Sequence, residues 1–338
     1  MTAFGLKAMI QGVGMIRNQW YVILQSKEVK RNKIVGVLRM GERMVLWRDA
    51  QGKIVCQADH CPHRGVALSV GCLKGDTIQC PFHGFAYDAN GKCTYVPANG
   101  KASEPPKALQ VATYLTHEEH GYIYIWWGDP QPEYPPIPWF DDLDTSFTTS
   151  DFKDIWNAHY SRVIENQLDV FHLPFVHATT IGRGNRTIAD GPITVVDPLS
   201  LEIWVHNRLD DGISTAKRAG ELPAPDRPFL LKFKFPHLWM NRISEDMRIT
   251  VYFTPIDANN TALYLRYYQR FVKIPGLREL VAFLINLSSI VILNQDKRVV
   301  ITQTPKASGL NIGEKLIPAD RPIIEYRKIR EKLQQKEN

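Results

Sequence analysis

Two short loops of like design restrict this chain more than anything else in it. They read Cys61-Pro62-His63-Arg64-Gly65 and Cys80-Pro81-Phe82-His83-Gly84. Each offers one thiolate and one imidazole, closed by a glycine that tolerates the backbone angles a tight ligand loop requires. The spacing is C-x-H, then residues 64–79, then C-x-x-H. Two Cys and two His suit a tetrahedral structural zinc. They also suit an iron–sulfur cluster with one iron on two thiolates and the other on two imidazoles. Zinc fingers usually pair like ligands. The alternation here favours the cluster.

The surrounding sequence is strand-like over 20–24, 34–38, 44–47, 54–57, 111–114 and 121–127, with Asp49-Ala50-Gln51-Gly52 as a hairpin loop. These segments predict a small antiparallel β domain over 16–128. Pro130, Pro132, Pro135, Pro136 and Pro138 then exclude a regular helix or central strand, so 129–150 reads as a stiff proline-rich linker. Residues 151–338 read as a second, mixed domain. Helix is expected over 151–173 and 273–304, the latter interrupted at Pro275-Gly276. Strands are expected over 193–207, 229–235, 247–254 and 263–271, and a charged tail starts at Arg321. The fold class is α+β.

The second domain carries its own ligand pattern in residues 165–177, Glu-Asn-Gln-Leu-Asp-Val-Phe-His-Leu-Pro-Phe-Val-His. On a helix, Asn166, Asp169 and His172 share a face. His177, five residues after His172, does not, unless Pro174 ends or bends the helix at Leu173 and lets the chain turn back. The bland alternative is a helix end with two ordinary histidines. His159 reads as structural or pocket-lining.

Composition excludes several classes. With 44% hydrophobic and 22% charged residues the 338-residue chain is globular. A net charge of +6 without blocks of like charge gives no nucleic-acid arm. Five cysteines, odd in number and mostly clustered, do not form a secreted disulfide framework, so Cys56, Cys72 and Cys93 read as buried spare thiols. The N-terminus reads as a packed extension without a leader. The apolar run 280–293 is shorter than the roughly 20 residues of a membrane span; a buried helix and a cytoplasmic protein are expected. Gly12-Val13-Gly14 and Gly182-Arg183-Gly184 do not complete a dinucleotide fingerprint; if the chain consumes reducing equivalents, another polypeptide delivers them.

The double Cys/His loop resembles the Rieske [2Fe–2S] motif. Val66 and Phe82 stand where respiratory Rieske proteins carry disulfide cysteines, so the resemblance is to the oxygenase type; Phe85 stands where many members have Trp, a conservative departure. Residues 165–177 are similar to N-x-x-D-x-x-H-x4-H of the Rieske non-haem iron oxygenases. The similarity is greatest to the single-subunit type that includes vanillate O-demethylase, dicamba monooxygenase and pheophorbide a oxygenase. The resemblance implies that Cys61, His63, Cys80 and His83 hold the cluster. It implies that His172, His177 and Asp296 hold a mononuclear Fe(II), with Asn166 nearby. Glu279, at the far end of the same helix, competes with Asp296. Asp169 would link the Rieske histidine of one subunit to an iron-binding histidine of the next.

The same resemblance implies a helix-grip-like catalytic domain and a homotrimer. A flavin reductase, with or without a ferredoxin, would bring electrons from NAD(P)H. O2 would be the cosubstrate, and a small, cyclic or aromatic molecule would be hydroxylated or oxidatively demethylated. The alternatives are a cis-dihydroxylating dioxygenase and a Rieske electron carrier with no oxygenase activity. Trp204, Trp239, Tyr252 and Phe253 suit a pocket or a core equally.

Overall fold

The computed structural model describes residues 14–182, 187–225 and 228–335. The predicted N-terminal extension, Gly12-Val13 and Arg183-Gly184 lie outside them. The chain divides into two compact units between Tyr134 and Pro135.

The first unit is all β: β1 (Gln19–Gln25), β2 (Val35–Arg39), β3 (Glu42–Arg48), β4 (Ile54–Ala58), β5 (Cys72–Lys74), β6 (Thr77–Gln79), β7 (Ala86–Tyr87), β8 (Cys93–Tyr95), β9 (Thr113–Tyr114), β10 (Thr116–Glu119) and β11 (Tyr122–Trp127). They form three antiparallel sheets ordered β1-β11-β10, β2-β3-β4-β9 and β5-β6-β7-β8. The expected hairpin at residues 49–52 is present. Gly52 donates its N–H to Asp49 O at 2.9 Å, and the Asp49 carboxylate accepts from Lys53 N at 2.8 Å. The small third sheet carries the second Cys/His loop between β6 and β7, while the first loop follows β4. Trp47, Leu68, Ile78 and Tyr87, all fully buried, pack with Cys61 and Cys80 in one core. Each such apolar side chain contributes about 1.5–3 kcal/mol when removed from water.

Prolines 130–138 do not run free of structure. Tyr134 packs on Trp126 and Trp20 in the first unit, and in the second unit Phe140 and Phe147 are buried.

The second unit contains β12 (Thr148–Trp156), α1 (Tyr160–Leu168), α2 (Leu173–Val176), β13 (Thr187–Asp197), β14 (Ser200–Leu209), β15 (Leu231–Lys234), β16 (Leu238–Ser244), β17 (Met247–Pro255), β18 (Thr261–Gln269), α3 (Leu277–Val300) and α4 (Arg321–Gln335). Its seven strands make one antiparallel sheet ordered β12-β18-β17-β16-β15-β14-β13. Cross-strand partners share a face, so Trp239, opposite Phe233 and Val251, lies on the same face as Phe253. That face is covered by helices: Phe233 meets Tyr326 of α4, and Asn286 of α3 donates to Ser150 Oγ of β12 at 3.0 Å. Trp204 and Tyr252 point to the opposite face.

Four expectations need correction. Residues 151–156 are strand, not helix: β12 pairs with β18 from Thr148↔Gln269 to Trp156↔Thr261, and Asp151 accepts from Arg266 across the pair at 2.6 Å. Pairing partners distant in sequence outweigh local helix propensity there. Residues 193–207 are not one strand but most of a hairpin, turned at Asp197-Pro198-Leu199-Ser200 where the proline cannot donate to a ladder. Cys72 is exposed, while Cys56 and Cys93 are buried as expected.

The fourth concerns α3, which is longer than its apolar run and only half-buried. Ala282, Asn286, Ser289, Leu293 and Asp296 face inward, whereas Leu280, Phe283, Leu284, Leu287 and Val291 are exposed. By length and composition α3 is long and apolar enough to cross a membrane. Its polar side, however, is packed on the sheet, which makes it a domain helix with an apolar outer flank.

Candidate metal centres

The two Cys/His loops fold alike. In the first, Cys61 N donates to Val66 O at 2.8 Å and Gly65 N to Cys61 O at 2.8 Å; in the second, Cys80 N donates to Phe85 O at 2.8 Å and Gly84 N to Cys80 O at 3.0 Å. Gly65 and Gly84 have φ of 74° and 73°, a conformation that a side chain would strain. The thiols are buried and the imidazoles exposed. His63 and His83 lie with ring centroids 4.8 Å apart, and Phe85 stacks on His63 at 4.7 Å. Tyr87 Oη is 3.1 Å from Cys61 Sγ. Burial pushes the Cys80 thiol above its ordinary range; N–H groups of Phe82 and His83 oppose this, and the Cys61 sulfur adds to it.

A single zinc would draw all four donors to within roughly 4 Å of one another. Among the described residues the one group of three or more His, Cys, Asp or Glu donors gathered within 4.8 Å lies elsewhere. Buried thiols on one side and exposed imidazoles on the other fit a two-iron cluster.

That other group is His172, His177 and Asp296. The sequence folds to it by a route different from the expected one. His159 caps α1 at its N-terminus, its Nδ1 accepting from Ser161 N at 3.3 Å. The helix then ends at Asp169, whose backbone is extended, five residues before Pro174. The Asp169 carboxylate accepts from Phe171 N at 2.8 Å and His172 N at 3.1 Å, which turns the chain. Pro174 does not end that helix; it sits in the first turn of α2, where its missing N–H costs nothing. The short α2 places His172 and His177 at its two ends.

The donors converge on one point. Asp296 Oδ1 lies 3.0 Å from His177 Nε2 and 3.5 Å from His172 Nε2, yet it is buried without a hydrogen bond. Three lone-pair donors facing one another in this way fit a divalent ion on a facial triad. Between the protein groups themselves, burial pushes the Asp296 carboxyl up and the two imidazoles pull it further down, to about 2. Burial likewise draws the His172 imidazolium down, but Asp169 and Asp296 raise it to about 9. A metal would take the place of that proton. Glu279 is exposed at the far end of α3 and holds Arg278 and Gly276 N; the structure does not bring it to the site.

Asp169 lies beside this group, with Oδ1 3.6 Å from His172 Nδ1. Side-chain exposure rises from 2% at His177 to 14% at His172 and 22% at Asp169, so the site is most open at the Asp169 edge. Asn166 is partly buried, and its Nδ2 has no partner. Two neighbours escaped the sequence analysis. Gln167 Nε2 donates to Asp296 Oδ2 at 3.5 Å, and Gln295 Oε1 lies 2.8 Å from His177 Nδ1. Adjacency to the motif was their only signal.

The turn after His177 is tight. Thr180 N and Gly182 N both donate to His177 O at 2.9 Å, and a Cβ on Gly182 would stand 2.1 Å from Leu173 O. Gly182→Ala should therefore open this turn and lower stability by about 1–3 kcal/mol, read as a shift in the denaturation midpoint. An unchanged midpoint would show that the turn can relax.

Comparison with known proteins adds the following. Residues 19–114 match the family described as the Rieske [2Fe-2S] domain, and residues 156–336, just over half of the chain, match the vanillate O-demethylase oxygenase C-terminal domain. The chain is 34% identical over 183 residues to aminopyrrolnitrin oxygenase PrnD of Pseudomonas fluorescens, covering 51% of this chain and 48% of that protein. It spans about half the length of this curated relative. A crystal structure of dicamba monooxygenase is 21% identical with a TM-score of 0.75, covering 95% of this chain and 98% of that one. The oxygenase of carbazole 1,9a-dioxygenase, solved as a complex with its ferredoxin, is also 21% identical, with a TM-score of 0.74 and coverage of 95% and 90%. At these identities the structural matches establish the fold.

Proposed function

Since this chain belongs to the Rieske oxygenases with a vanillate O-demethylase-type C-terminal domain, we propose that it is a monooxygenase. It would use O2 and externally supplied electrons to hydroxylate or oxidatively demethylate a small organic substrate. One oxygen atom enters a C–H bond and the other leaves as water, with two electrons and two protons consumed. The observation that carries this proposal is the convergence of His172, His177 and Asp296 in a chain that also has the paired Cys/His loops.

When bound, the cluster supplies one-electron transfer and the mononuclear iron supplies reductive activation of O2. Cys61, Cys80, His63 and His83 would hold the first, and His172, His177 and Asp296 the second. The chain's own residues do the rest. The exposed His63 and His83 edges are the place where an electron arrives or departs. With Cys61 as a thiolate, Tyr87 Oη, 3.1 Å from its sulfur, would donate to it and so lower the charge carried there. Asp169, fixed by two backbone N–H groups, stands 3.6 Å from His172 Nδ1 at the open edge of the site, close enough to accept from that ring after a small shift. That edge is where a homotrimer would bring the cluster of a neighbouring subunit, with Asp169 as the link. Asn166, with an unsatisfied amide, would orient a polar group beside the metal. Trp239 and Phe253 lie on the sheet face that the helices cover and are apolar candidates for the substrate wall.

Electrons would come from NAD(P)H through a flavin reductase, directly or by way of a ferredoxin. The ferredoxin complex of the similar carbazole oxygenase supports such a partner. The cytoplasm is the proposed location.

Iron counting separates this function from that of a simple carrier. Protein produced with ample iron and sulfide should hold about three irons per chain, two in the cluster and one outside it. A ratio of two with full cluster absorbance would leave an electron-transfer protein instead.

A further inference from the structure

Resting on the assignment of a mononuclear metal to His172, His177 and Asp296, we propose that Gln295 is a positioning residue that sets the tautomer and ring angle of His177. Gln295 Oε1 lies 2.8 Å from His177 Nδ1 and accepts from Thr180 Oγ1 at 2.9 Å, while its Nε2 donates to Thr179 Oγ1 at 3.3 Å. A carbonyl oxygen can only accept. Nδ1 therefore carries the proton, and the lone pair of the ring is left on Nε2, which faces Asp296 Oδ1 at 3.0 Å. One turn of α3 thus supplies a metal donor, Asp296, and the clamp on another, His177. The two threonines that hold the clamp belong to the turn closed by Gly182.

The two imidazoles are held differently. His177 is buried and hydrogen-bonded to a neutral amide. His172 is partly exposed, and its Nδ1 stands 3.6 Å from a carboxylate without making a hydrogen bond. His177 is then the rigidly held donor, and His172 is the ring left to respond to Asp169.

A cleft of about 440 Å3, lined by Phe175, Thr179, Val291, Gln295 and Arg298 among others, opens beside the amide. Truncating Gln295 would admit water that could replace it. Gln295→Leu, which keeps the bulk and removes the acceptor, and Gln295→Glu, which keeps the acceptor and adds charge, are the informative variants. The test uses cluster-loaded protein from which the mononuclear metal has been chelated. Co(II) is titrated back by visible absorption, and the Fe(II)–nitric oxide complex is recorded by EPR. Gln295→Leu should weaken Co(II) binding roughly 10–100-fold with the cluster spectrum unchanged. Gln295→Glu should recover the affinity but alter the nitrosyl signal, because a carboxylate draws the Nδ1 proton towards itself.

Wild-type Co(II) affinity and an unaltered nitrosyl signal in Gln295→Leu would overturn the proposal, provided that His177→Ala loses the metal. If His177→Ala also binds normally, the metal assignment is what fails. Should Gln295→Leu not accumulate, an unaltered nitrosyl signal in Gln295→Glu overturns the proposal by itself.

Discussion

Asp296→Ala should release the mononuclear metal and abolish substrate oxidation while the cluster spectrum stays intact. Among the described residues Asp296 is the one carboxylate facing both Nε2 atoms, at 3.0 and 3.5 Å, and it stands on a different helix from the two histidines. Its loss leaves two neutral imidazoles, which do not balance a divalent charge in a buried site. Iron content should fall by one per chain, and turnover by at least about 10³-fold, a modest share of what enzymes supply. His172→Ala and His177→Ala should behave alike, since three donors acting on one ion are not additive. Separate measurements of cluster absorbance, total iron and product distinguish this from unfolding. Retained iron and turnover in Asp296→Ala would remove the triad assignment and leave Asp296 as a partner of Gln167.

Glu165→Ala should cost about 3–5 kcal/mol of the second unit's stability, the range for stripping one partner from a buried ion pair. Glu165 accepts from Arg327 Nε at 2.7 Å, Arg327 Nη2 at 2.9 Å and Arg162 Nη1 at 3.1 Å, and all three side chains are at most 4% exposed. Glu314 completes the cluster at 2.8 Å from Arg162 and 2.6 Å from Arg327, but it is more exposed. Burial pushes the Glu314 carboxyl up, and the two guanidiniums more than reverse this. Without Glu165, two buried guanidiniums would share that one carboxylate and a few carbonyls such as Pro305 O and Gly309 O. Domains are stable by only about 5–15 kcal/mol, so the variant should unfold far earlier in urea. Because the network ties α4 to α1, and α1 ends at Asp169, Asp169 and His172 should lose their fixed positions before the unit unfolds. Glu165→Gln, which keeps part of the hydrogen bonding, should lose less. A change below about 1 kcal/mol, the level of a surface pair, would show that the network is solvated in solution.

The legible and illegible parts of this protein differ in kind. The loops that carry Cys61, His63, Cys80 and His83 could be read because each is a local turn with its own glycine and proline. The structure gives both loops one hydrogen-bonding pattern. His172 and His177 were also legible as a pair, although the break that brings them together lies at Asp169 rather than at Pro174. Asp169 serves as both turn and neighbour, and an i, i+3 pattern does not reveal which bond its carboxylate makes. Residues 151–156 were misread because a strand's partner can lie more than a hundred residues away.

By itself, then, the sequence determined the donor types, their spacing within each loop and the order of the two units. These follow from covalent neighbourhood and turn chemistry. Tertiary structure alone decided which carboxylate meets the two histidines. Asp296 and Glu279 lie on the same helix, and only the packing of α3 against β12 and α2 turns one inward and leaves the other in solvent. It also decided that Gln295 holds His177 and that Glu165 anchors α1. Hydrogen bonds and ion pairs between distant elements depend on where whole helices come to rest, and no local pattern encodes that.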